Sequence, residues 1–164
     1  MNSKIFLAVV LLAGAAAQAD TPAPALSIHF VDPQHFTDAS YTYHQDRTRS
    51  AVLRDIERHL QRLAADKLAP GRSLDIEVLD IDLAGQFEPW RDRAANVRIV
   101  REITWPRIAL RYTLREGDGI VARGDEQLVD MSFLRSVNLY DREDRLRYEK
   151  AMLDHWFERS IASR

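Results

Sequence analysis

The chain has 164 residues, with 23 Lys and Arg against 25 Asp and Glu, a formal net charge of −2, and no cysteine. That balance argues against nucleic acid as the main partner, which calls for a clearly basic face. The lack of cysteine excludes disulfides, thiolate metal sites, a catalytic thiol and an acyl-anchored lipoprotein. Only Lys4, Lys67 and Lys150 are lysine. The arginine excess suits carboxylate and phosphate recognition, although codon bias in GC-rich DNA is the simpler cause.

Met1 to Ala19 is laid out as a secretory signal peptide. Lys4 gives a positive start, residues 5–13 form an apolar run, and Ala17-Gln18-Ala19 is a small-x-small cleavage site before Asp20. The run is too short for a bilayer span, which needs about 20 apolar residues. Cleavage near Ala19/Asp20 is expected to leave residues 20–164 as a single soluble domain, periplasmic or secreted. Residues 20–25, with Pro22 and Pro24, read as a flexible leader.

Residues 26–31 alternate as a first strand, with Leu26, Ile28 and Phe30 on one face, and Asp32-Pro33 stops it. A helix is predicted over 49–68, where Val52, Ile56, Leu60, Leu63 and Lys67 form one stripe and Pro70-Gly71 ends it. The next strand, 73–84, changes phase. Leu74, Ile76 and Val78 share one parity, while Leu79, Ile81 and Leu83 share the other, which calls for a bulge near Val78-Leu79 or two covered faces.

Residues 85–95 read as polar and irregular. Residues 96–115 form a kinked strand or two segments broken at Pro106. Glu116-Gly-Asp-Gly119 is a hairpin turn, and the return strand runs from Ile120 to about Met131. A second helix is expected over 141–161, capped by Asp141, with Leu146, Met152, Leu153, Trp156 and Phe157 on its apolar side. On it, Glu143/Arg147 and Arg145/Glu149 would be i, i+4 pairs. The order β-α-β-β-β-α predicts an α+β fold, with one mixed, mostly antiparallel sheet covered by two helices.

Five sequence blocks carry a resemblance. They are Phe30-Val-Asp-Pro33 with Phe36-Thr-Asp-Ala39, Asp80-Ile-Asp-Leu-Ala-Gly85, Ile103-Thr-Trp-Pro-Arg-Ile108, Tyr148-Glu-Lys150, and Trp156-Phe157. Together they resemble a family of small secreted proteobacterial proteins classed as a domain of unknown function. The resemblance implies a Gram-negative envelope or secreted location and carries over no activity. The core order is also similar to that of several periplasmic accessory proteins, an analogy of fold alone.

Asp80-x-Asp82-x-Ala84-Gly85 begins like a calcium loop, but Ala84 stands at the fifth position and Arg91 at the twelfth, where oxygen ligands are required. Two polar residues opposite Ile81 and Leu83 are the simpler reading. The histidines are His29, His35, His44, His59 and His155, and none form an H-x-x-x-H pair. His29, His35 and His44 could converge with Asp32 or Asp38. No G-x-S-x-G, Ser-x-x-Lys or Gly-rich phosphate loop is present.

Trp105 and Trp156 read as core. Trp90, in Glu88-Pro-Trp-Arg-Asp, reads as exposed, which makes Phe87, Trp90 and Arg91 the candidate binding residues. The sequence thus points to an exported, soluble, non-catalytic binding or accessory protein of the bacterial envelope. Its contacts would be to an envelope protein or polymer, with no cofactor, no nucleic acid and no stable membrane insertion. The alternative is a metal-dependent or carboxylate-based periplasmic hydrolase using Asp80, Asp82, His29, His35 and His44.

Overall fold

The computed structural model describes residues 26–43, 48–90 and 96–164. The expected leader at 1–19, residues 20–25, His44 and Arg91 lie outside the described residues.

Strand β1 (Leu26–Phe30) pairs in parallel with β2 (Arg72–Asp82), placing Leu26 beside Leu74 and Ile28 beside Ile76. A parallel pair needs a long crossover, and helix α1 (Arg49–Lys67) supplies it. Its stripe of Val52, Ile56, His59, Leu60, Leu63 and Ala64 is buried. Lys67, read as the end of that stripe, is only half-buried and pairs with Glu158.

The phase change in β2 is a bulge. Register with β5 (Arg107–Glu116) shifts between Val78 and Asp80, so one extra residue resets the parity. Leu74, Ile76 and Val78 before it and Ile81 after it are therefore all buried.

Strand β5 turns through Gly117, at φ +55°, into the antiparallel strand β6 (Gly119–Val129). The main sheet runs β1-β2-β5-β6, mixed and mostly antiparallel. A separate ribbon of two short strands, β3 (Gln86–Phe87) and β4 (Arg98–Ile99), stands between β2 and β5 in the chain. It uses the amino half of the segment read as a kinked strand.

Helix α2 (Arg147–Phe157) continues into one π-helical turn (Glu158–Ala162). It begins six residues later than Asp141, the expected cap. Asp141 and Asp144 instead accept N–H bonds from Glu143 (2.8 Å) and Leu146 (2.9 Å), two residues on. Such local side-chain turns compete with helix, so the expected Glu143/Arg147 and Arg145/Glu149 pairs do not lie along one helix.

Met152, Leu153, Trp156 and Phe157 pack with α1 and one sheet face in a single core. Trp156 meets Tyr112 edge-on at 5.7 Å. Full burial of each such side chain contributes about 1.5–3 kcal/mol.

Candidate functional site

Loops gather where β2 ends and β5 begins. After β1 the chain makes a short 3-10 turn (Pro33–His35) and then runs beside the end of β2. The Asp38 N–H donates to the Ile81 carbonyl at 2.8 Å, and the Leu83 N–H donates to the Asp38 carbonyl at 3.0 Å. The carboxylates of this end are each engaged. Asp80 accepts the N–H and the hydroxyl of Thr37, both at 2.7 Å. Asp82 accepts Arg107 Nε at 2.9 Å and also its Nη2.

Arg98 on β4 is the central brace. Its Nη1 donates to Asp38 Oδ2 (2.8 Å) and the Gly85 carbonyl (2.9 Å), and its Nη2 donates to Asp38 Oδ1 (2.9 Å) and the Ser40 carbonyl (2.7 Å). A planar fork matches a carboxylate in this bidentate way, as a lysine ammonium would not. The guanidinium also lies 4.4 Å over the Phe87 ring, whose other neighbour is Tyr43. Gly85, at φ +82°, allows the close approach, because a Cβ there would stand 2.8 Å from the Ile99 carbonyl oxygen.

Two depressions flank this brace. A cleft of about 180 Å³ is lined by Asp38, Asp82, Gly85, Thr104, Trp105 and Arg107. Trp105, expected in the core, is only half-buried and forms part of this wall. A groove of about 440 Å³ shares Leu83 with the cleft and reaches Tyr41, Arg98, Arg142, Arg145, Arg147 and Tyr148. Below it, Glu149 is 1% exposed and accepts the Ala84 N–H at 2.7 Å. Burial pushes its carboxyl up to about 7, against the pull of the Ala84 N–H and its own N–H.

The sequence-designated residues divide. Phe87 sits under Arg98, half-buried, and Trp90 is 70% exposed at the end of the same segment. Asp80 and Asp82 are tied to Thr37 and Arg107. His29 shares a hydrogen bond with Ser27 at 3.0 Å, and His35 is exposed at the end of the 3-10 turn. Asp38 turns toward Arg98 rather than toward these histidines. Among the described residues, no group of three His, Asp or Glu side chains could hold a metal ion.

A second polar network ties the two helices. Arg62 donates to His59 Nδ1 at 3.0 Å, so His59 Nε2 carries the proton and donates to Asp154 Oδ1 at 2.8 Å. Tyr140 donates to Asp154 Oδ2 at 2.6 Å. Burial works against the Asp154 charge, yet the His59 and Tyr140 bonds hold its carboxyl below the usual range. Both imidazole nitrogens are occupied, so the cluster holds helices together and leaves no base free for a nucleophile.

Sequence reasoning missed Arg98, Arg142, Arg145 and Arg147. The available signal was three arginines within residues 142–147, two of which, Arg145 and Arg147, the helical reading places in i, i+4 pairs.

Compared with known proteins, residues 24–159 match the model of one family, described as "Protein of unknown function (DUF3016)". No curated protein and no solved structure matches the chain.

Proposed function

The chain thus belongs to the DUF3016 family, and we propose that it is an exported, non-catalytic binding or accessory protein of the bacterial envelope. The leader-like composition of residues 1–19 supports export. No helix among the described residues is long and apolar enough to cross a membrane. The ligand face is the loop end of the sheet, with Phe87 and Trp90 as contacts and Arg91, the next residue in the sequence, as a further candidate.

One observation carries this reading. Trp90 is 70% exposed, yet it follows directly on a segment braced by Arg98 and by Glu88, which is buried and paired with Arg101. An indole held in water on a fixed support is poised for a partner, since tryptophan dominates binding hot spots. That partner is an envelope protein or polymer.

The test has two parts. Protein recovered from the envelope fraction should begin near Asp20, and envelope material captured on it should bind Trp90→Ala roughly tenfold more weakly. An intact Met1 removes the export reading. Capture indifferent to Trp90 removes the assigned face.

A further inference from the structure

The geometry points to the groove between the β3–β4 ribbon and the start of α2 as a binding site for an oxyanion group, phosphate or carboxylate, gripped by Arg142, Arg145 and Arg147. The inference rests on the proposed ligand face and names the chemistry that face would recognise.

Three observations converge on it. First, the groove gathers Arg142, Arg145 and Arg147 on one wall, and none of them makes an ion pair among the described residues. Asp144, the acid that lines the same groove, is already engaged by Lys150 at 2.5 Å and by the Leu146 N–H. Arg98 also lines the groove, but Asp38 takes up its fork. Among the charged residues that line the groove, the unclaimed charge is therefore positive.

Second, two of these guanidinium groups lie over aromatic rings and not in ion pairs. Arg145 lies 5.2 Å over Tyr41, and Arg147 lies 5.4 Å over Tyr148. A cation held over a ring spends no N–H donor on a carboxylate, and an oxyanion accepts guanidinium donors in pairs. The Tyr41 ring is itself anchored, because its hydroxyl donates to Asp55 Oδ2 at 2.7 Å. Asp55 fixes Tyr41, and Tyr41 orients Arg145. Arg147 Nε, buried and without a hydrogen-bond partner, is one donor still unsatisfied.

Third, the placement runs against the helix. Arg147 opens α2, no side chain caps that end, and Arg142 and Arg145 precede it. Cations at the positive end of a helix are disfavoured, and anions are favoured there. Glu149, the acid of the first turn, is buried on the Ala84 N–H, so the three arginines without ion pairs form an arrangement that a bound anion would relieve.

Titration of the purified protein with inorganic pyrophosphate and, separately, with citrate tests this. Saturable binding of one or both is expected, tighter than about 1 mM, and weakened roughly tenfold or more by Arg145→Ser and by Arg147→Ser. Arg111→Ala, on the far side of the sheet, should bind as the parent does. Uptake of pyrophosphate alone assigns a phosphate source, and uptake of citrate alone a carboxylate source.

Arg142→Ser should keep or raise the midpoint of thermal unfolding while weakening binding. A lowered midpoint would make that arginine a structural support and overturn its assignment. Failure of both probes to saturate, or equal binding by the Arg145, Arg147 and Arg111 variants, overturns the inference. Trp90-dependent capture of envelope material would leave the ligand face standing even then, so the two readings fail separately.

Discussion

Ile76 and Glu77 are neighbours on β2 and belong to different surfaces. Ile76 is fully buried under the helices beside Ile28 and Tyr112. Glu77 faces the other way, in a row that crosses all four strands in register: His29, Glu77, Arg111, Asp125. Arg111 sits mid-row and donates to Glu77 at 2.8 Å and to Asp125 at 2.7 Å.

Strand side chains alternate with a period of two, so one backbone supports a dry face and a charged one. The dry face gains from every apolar area it removes from water. The charged face gains little, because exposed pairs are screened and entropically costly. Its alternating signs keep the open sheet wet and unattractive to other sheets.

The largest effect expected of this contrast is on the dry side. Trp156→Ala should destabilise the protein by roughly 3–5 kcal/mol, read by urea unfolding. A loss below about 0.5 kcal/mol, the size of an ordinary surface change, would remove α2 from the core. Glu149, buried on the same side, should produce the next effect. Its carboxyl is raised to about 7 in the folded chain, against 4.5 for an ordinary glutamate, so the native state holds the proton more tightly.

Stability is therefore full below the unfolded value and falls as pH climbs toward the folded one, by on the order of 3 kcal/mol. Glu149→Gln keeps an acceptor for the Ala84 N–H and should flatten that slope. Unfolding at about pH 5 and about pH 8 measures it, and a parent that gains stability over this range contradicts the assignment. The smallest effect belongs to the wet side. Arg111→Ala should leave the midpoint of thermal unfolding unchanged, and a clear drop would mean that the charged row supports the sheet.

The main sheet was legible because periodicity reports it. The parity flip at Val78-Leu79 called for a bulge or two covered faces, and the register shift shows the bulge. The Glu116–Gly119 turn declared the hairpin, and the Val52–Leu63 stripe declared α1. The start of α2 was misread because Asp141 and Asp144 look like helix caps in a charged, helix-favouring stretch. Their carboxylates take the N–H groups two residues on and delay the helix.

The face around Arg98 was hidden for a different reason. Asp38, Gly85 and Arg98 are distant in the chain, and no local spacing announces that they meet. Trp90 was legible as exposed from its polar neighbours. Trp105 was not legible as a cleft wall, because a tryptophan serves a core and a rim with the same side chain.

Gly85 lines the cleft and has only a hydrogen atom where any other residue would carry a side chain. Its carbonyl holds Arg98, its N–H donates to the Thr104 carbonyl at 2.9 Å, and the ribbon passes too near for even a methyl group. A larger residue at position 85 would push the ribbon that carries Arg98 away from the end of the sheet. Arg98 of the groove and Thr104 of the cleft are both hydrogen-bonded to this one residue, through the two peptide units that flank its α-carbon.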